Sequence, residues 1–459
     1  MTHVTSGAWG KTPILTLVPL TLILQSTNFI FAWTNLEFRS RFTVNYDFVV
    51  GDNVHYFGIA KNLLLGNGYV DSSAEIMSVK PGIPTYIRTP GIPLLYAIPL
   101  LIFCRDTAYE VADSNIREVW LFLYAVHLIF LCLGAVYFYK LCALFFDSPW
   151  LPFLGGLTYV VWPSHLVFLS PSLAKFTAEI VVAPLLVCAF YLLLSRKGGL
   201  GNQLLGGVIL GYCLLARVYL VLLPLALLAG CFLLDNPVLK RNIRIVTVLA
   251  FLVFLPWPIR NYVVFHDFAL SSQGGILLWF GNNAEARGSI DGRMYDEGFS
   301  NPEKFPLLKQ LEQKYPGIVQ MKSYDETQAK EILRKEAIDW MANNLSALSR
   351  LWIRKLAITF YPANFGTGTK VNVITAFVFM MFSLGLLLYL YKYLKGQAPP
   401  EFLLFALPIG CLSLVTLVFF AAYRTRLLME PFMILFALYG IVELVQCRVL
   451  NRKPVETTK

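Results

Sequence analysis

A chain of 459 residues that is 57% hydrophobic, only 14% charged and of mean hydropathy +0.60 departs from soluble domains, where about a quarter of residues are charged. The formal charge of +10 does not indicate nucleic acid, because the basic residues sit in short connections between apolar stretches and form no single polar patch. The eight cysteines lie in or beside apolar stretches, without the spacing of a disulfide framework or a metal cluster.

The apolar residues gather into runs of about twenty, the length an α-helix needs to cross a bilayer. In chain order the runs predict spans at 12–33, 118–139, 150–170, 177–195, 203–217, 218–234, 243–258, 372–393, 400–422 and 427–446. Continuous rather than alternating apolar character, as in 372–391, predicts helices and excludes a barrel. The first run is longer than a signal-peptide core and lacks a small-x-small cleavage site, so it reads as a retained span. The fold class is therefore all-α: a polytopic membrane protein of about ten transmembrane helices, with two large non-cytoplasmic loops and amphipathic interfacial helices.

The stretch 90–104, PGIPLLYAIPLLIFC, has three prolines in about fifteen residues and reads as re-entrant or interfacial. Leaving it out of the count places Lys140, Arg196 and Lys197, the Lys240, Arg241 and Arg244 group, Lys392, Lys395 and the basic tail on the cytoplasmic side, as the positive-inside rule requires. Both termini are then inside, and the segments 34–117 and 259–371 lie outside. The expected division is 1–371, a membrane module that includes both outer segments, and 372–459, a set of C-terminal transmembrane helices.

The first outer segment holds GDNVHYFGIAKNLLLGNGY (51–69), in which Asp52 begins a helix that Gly66 and Gly68 end. Taken alone, Asp52 reads as a helix cap. The same segment continues to YIRTPGIPLLYAIP (86–99), where Arg88 precedes a Pro-Gly turn. In the second outer segment Ser323 and Glu326 form the pattern of a capping box ahead of an amphipathic helix with Ala329, Ile332, Leu333, Ala337, Trp340 and Met341 on one face. The following LWIRKLAITFYP (351–362) mixes aromatic and basic residues as membrane interfaces do.

Basic residues at the outer ends of spans break the positive-inside rule and call for a reason: Arg88, Lys175, Arg217, Arg260, Arg424 and Arg426. Each alone could be a snorkelling side chain, and Lys175 with Glu179 could be a self-neutralising helix pair. Together on one face they suit a phosphate-bearing ligand, because a guanidinium holds two phosphate oxygens at once.

The order of these parts resembles the GT-C superfamily of glycosyltransferases, in particular the bacterial branch of protein O-mannosyltransferases and lipid A aminoarabinose transferases. The resemblance is carried by Asp52, Tyr56, Gly66 and Gly68, then Arg88, Pro90, Gly91 and Pro93. It continues in PWPIRNYVVFHDFALSSQGGILLWFGNN (256–283) and YRTRLLMEPFMILFALYG (423–440). It implies seven spans before the second outer segment, and inverting transfer of a monosaccharide from a polyprenyl-phosphate carrier on the non-cytoplasmic face of a membrane, in the manner of a bacterial inner-membrane enzyme. Asp52 would be the catalytic base. Tyr56, Arg88, Lys175, Glu179, Arg217, Arg260, Arg424 and Arg426 would bind substrate. The acceptor would be a lipid, glycan or protein, with no nucleic acid involved. No cofactor is required by the resemblance; a divalent metal ion stays open, since relatives differ on it, although His55 and His165 show no ligand spacing. The rival classes are a lipid or solute transporter, which usually shows paired halves, and a scaffold that only binds anionic lipid.

Overall fold

The computed structural model describes residues 12–34, 51–72, 82–112, 114–148, 150–168, 176–195, 199–289, 302–319, 324–362 and 373–450. The helices are α1 (Thr12–Thr34), α2 (Asp52–Leu64), α3 (Gly91–Phe103), α4 (Ile116–Cys142), α5 (Trp150–Val160), α6 (Ala178–Leu194) and α7 (Gly199–Ala216). They continue as α8 (Leu222–Gly230), α9 (Pro237–Phe254), α10 (Pro256–Phe265), α11 (Gln273–Gly281), α12 (Pro306–Lys314), α13 (Glu326–Asn343) and α14 (Leu345–Thr359). The last three are α15 (Val373–Leu394), α16 (Ala406–Val418) and α17 (Glu430–Leu450). Among the described residues there is no strand, only the isolated bridges Val70 to Pro84 and Ser289 to Ala421.

The chain is a polytopic helical membrane protein. Among the described residues, five stretches are long and apolar enough to cross a membrane: α4, α7, Pro237–Phe265, Val373–Leu394 and Pro400–Val418. Their outward faces carry Ile129, Leu133, Val248, Leu252, Met380 and Leu387, each more than a third exposed, where a soluble protein would place charge. Several expected spans are broken. The run 150–170 becomes α5 and a separate short helix, Pro163–Phe168, and 218–234 becomes α8 flanked by two 3₁₀ turns. Proline explains the first break, since Pro163 supplies no N–H and starts a new helix. The span expected at 243–258 runs on through Pro256 to Phe265, as α9 and α10.

Close approach binds the bundle. A Cβ on Gly207 or Gly211 of α7 would come within 2.8 Å of Leu249 or 2.6 Å of Val253 on α9, so this small-x-x-x-small pair lets the two backbones meet. The main core extends from Leu17 of α1 to Leu438 of α17, so packing runs across the 371/372 boundary. A second, smaller core joins α11, α12 and α13 through Ile276, Trp279, Leu308, Leu311, Leu333 and Ala337. The cap of α13 differs from the expected one. Ser323 lies outside the described residues, and the box is closed by Asp325 and Gln328, with Glu326 as the first helical residue.

Candidate active site

Gly51 precedes α2 with φ of 58°, a backbone region that glycine enters without a Cβ penalty, and no side chain caps the helix. The Asp52 carboxylate is therefore not used as a cap. It faces guanidinium groups delivered from three distant parts of the chain. Arg88 Nη2 donates to Asp52 Oδ1 at 2.6 Å, and Arg424 Nη1 donates to Oδ2 at 2.8 Å. Arg217 Nη2 lies 3.7 Å from Oδ2 and donates at 2.8 Å to Glu179 Oε2. Arg217 Nη1 donates to the Tyr56 hydroxyl at 3.2 Å, Tyr219 donates to Glu179 Oε1 at 3.2 Å, and Arg424 Nε is 4.0 Å from that same oxygen.

Local structure explains the convergence. Arg217 follows the end of α7, and Arg88 precedes the Pro90-Gly91 start of α3. A Cβ on Gly91 would lie 2.7 Å from the backbone of Leu215 and Ala216, so only glycine lets α3 begin against the end of α7 and bring the two arginines to one carboxylate. The Tyr69 hydroxyl donates to the Arg88 carbonyl at 2.9 Å, and Gln273, at the start of α11, accepts from Arg88 Nη1. Glu179 stands in the first turn of α6 and is 1% exposed; Arg424 lies in the short helix Tyr423–Arg426 and is 36% exposed.

Three guanidinium groups thus surround two carboxylates, leaving one positive charge in excess. Among the described residues, Arg88 Nε and Arg217 Nε are buried donors without a partner, a cost that a bound acceptor would remove. Burial pushes the Asp52 carboxyl up, but Arg424, Arg88 and Arg217 more than offset it and hold it well below the usual carboxylate range. The arrangement suits an anion with several oxygens. It does not fit a divalent ion: Asp52 is already shared among cations, and among the described residues no three His, Cys, Asp or Glu side chains converge.

Of the residues expected at the site, Asp52, Tyr56, Arg88, Glu179, Arg217 and Arg424 come together. Lys175 lies outside the described residues. Arg260 is turned away: it donates to the carbonyls of Thr85 and Tyr69 and stacks near Tyr69, Trp257 and Phe265. Arg426 is buried against Glu430 and donates to the carbonyls of Thr359 and Tyr361. Both arginines thus donate to backbone, near the turn before α3 and at the end of α14. His55 pairs with Asp71, and His165 bonds the Tyr159 carbonyl. Residues that sequence reasoning missed are Tyr219, two positions after Arg217, and Gln273. Neither belongs to a charged pattern; a tyrosine beside an arginine at a span end was the one available signal.

No protein-family model matches the chain, and no curated protein matches it. Solved structures do. The archaeal oligosaccharyltransferase AglB from Archaeoglobus fulgidus, in complex with an inhibitory peptide and a dolichol-phosphate, matches at 15% identity and a TM-score of 0.53, over 96% of this chain and 52% of that one. The oligosaccharyltransferase of the same organism tethered with an acceptor peptide containing the NVT sequon matches at 14% identity and 0.52, over 96% and 50%. ArnT from Cupriavidus metallidurans bound to undecaprenyl phosphate is more distant, at 12% identity and 0.39, over 95% and 79%. The chain spans about half the length of the oligosaccharyltransferases it matches. At these identities the likeness is one of architecture: the chain shares the fold of the archaeal oligosaccharyltransferases it matches.

Proposed function

We propose that this chain is an integral membrane glycosyltransferase that moves a monosaccharide from a polyprenyl-phosphate carrier to an acceptor on the non-cytoplasmic face. The observation that carries the reading is the ring of Arg88, Arg217 and Arg424 around Asp52, with one cation in excess and two unpartnered Nε donors. Support for a lipid phosphate comes also from AglB, whose solved complex holds a dolichol-phosphate.

In this reading the donor phosphate takes the place between the guanidinium groups that the Asp52 carboxylate now fills. Released from two of its cations, Asp52 regains basicity and takes the proton of the acceptor hydroxyl. The acceptor oxygen bonds to the anomeric carbon as the bond from that carbon to the phosphate oxygen breaks. The electron pair leaves with the lipid phosphate, and the arginines stabilise the charge that grows there. Glu179 holds Arg217 in place, and the Tyr56 hydroxyl accepts from the same guanidinium. Arg260 and Arg426 drop out of the clamp because backbone carbonyls occupy them.

Helix direction supports the expected side. α6 runs from Glu179 at the site to Tyr191 beside Lys140, and α17 runs from Glu430 near Arg426 to Glu443, which pairs with Lys392. Lys140 and Lys392, two of the basic residues assigned to the cytoplasm, thus lie at the ends of these helices away from the site.

The test is purified protein in liposomes with radiolabelled polyprenyl-phosphate sugar and a membrane extract as acceptor source. Covalent transfer of label is expected. Label that crosses the bilayer without a covalent product would identify a transporter instead.

A further inference from the structure

Glu326 is buried at the first residue of α13, and the capping box of Asp325 and Gln328 leaves its carboxylate free of any capping task. Among the described residues no basic side chain lies within ion-pair distance of it, so its burial costs stability unless another role is served. The carboxylate grips one turn. Its Oε1 accepts from the Thr85 hydroxyl at 2.6 Å, and its Oε2 accepts from the Tyr86 N–H at 3.3 Å. The Thr85 hydroxyl in turn accepts from the Ile87 N–H at 3.1 Å. The next residue is Arg88, which binds Asp52.

Neighbouring contacts point the same way. The Tyr86 hydroxyl reaches Asp267 Oδ2 and Thr327 Oγ1, both at 3.0 Å, and Lys330 of α13 pairs with Asp267. The Ser271 hydroxyl donates to the Ile87 carbonyl at 2.8 Å. A Cβ on Gly275 would overlap the Lys330 carbonyl at 2.1 Å, so α11, which carries Gln273 to Arg88, lies directly on α13.

We propose that Glu326 is a positioning residue for the Asp52 site: from the second polar segment it clamps the 85–87 turn and so fixes where Arg88 meets Asp52. The clamp itself stands on geometry; its consequence for donor binding rests on the function proposed above.

The experiment compares Glu326→Ala and Glu326→Gln in the full chain by hydrogen exchange and by affinity for a short polyprenyl phosphate. In Glu326→Ala, exchange of the Tyr86 and Ile87 amides should rise about tenfold, the loss of one buried hydrogen bond, while Glu326→Gln stays near wild type. Affinity should fall in Glu326→Ala, and the double variant with Arg88→Ala should bind no worse than Arg88→Ala alone. Unchanged exchange at 86–87 overturns the clamp, and losses that add in the double variant overturn its action through Arg88. If wild type does not bind the lipid phosphate, the function reading fails while the exchange result still decides the clamp.

Discussion

Arg217 and Arg424 face the same two carboxylates but are held differently. Arg217 is buried between Glu179, Tyr56 and Asp52, whereas Arg424 reaches in from a half-open edge. Arg217→Ala strands the buried Glu179, so thermal unfolding should show a loss on the order of 3–5 kcal/mol. Arg424→Ala should leave the unfolding transition within about 1 kcal/mol of wild type, since its charge is partly solvated, yet weaken polyprenyl-phosphate affinity by about tenfold or more. Equal effects on folding would show that the two arginines do not divide structure and binding in this way. These residues were legible as a group because exported arginines need a reason. Their directions were not. Arg260 and Arg426 carry the same signal in the sequence, and only the backbone carbonyls that folding brings to them decide that they serve backbone rather than ligand.

Among the elements, the junction of α3 with α7 sets the distance between Arg88 and Arg217. Gly91→Ala forces a methyl into the backbone of Leu215 and Ala216, and overpacking of this kind costs about 1–3 kcal/mol. We expect a lower unfolding temperature together with a loss of transfer larger than stability alone explains, measured at a temperature where the variant is folded. A second test at this scale concerns α13. Burial pushes the Glu326 carboxyl up to about 7, with Asp71 adding to the rise; Asp267 with Lys330, Arg260 and Tyr86 stand around the same turn. A folded-state value above the unfolded one means that the group's contribution is fully present below the unfolded pKa and is lost as pH rises through about 7. From pH 5 to pH 8 wild type should lose up to roughly 3 kcal/mol relative to Glu326→Gln, read from paired unfolding curves. A constant difference over that range would remove the assignment. The amphipathic face of α13 was readable, as buried Ala329, Leu333 and Ala337 show. Its cap was not, because Ser323 and Asp325 offer two overlapping capping patterns and choice between them depends on where α13 docks.

At the scale of the molecule, hydropathy located the membrane helices, but prolines inside apolar runs left their breaks undetermined. Pro163 starts a new helix, whereas at Pro256 the apolar stretch passes into a second helix and runs on to Phe265. Nor did any local pattern place residues 52, 88, 179, 217 and 424 in one cluster, since that depends on packing of α2, α3, α6, α7 and the turn before α17. On the proposed function a lipid phosphate binds among these guanidinium groups, and the Asp52 carboxylate is the anion that competes for them. Binding of a short polyprenyl phosphate to Asp52→Asn, set beside its transfer activity, tests this most directly. Removing one negative charge raises the excess cation in the site from one to two, so affinity should rise several-fold, while loss of the base should cut transfer by about a hundredfold or more. Weaker or unchanged binding, or transfer at the wild-type rate, would contradict the account.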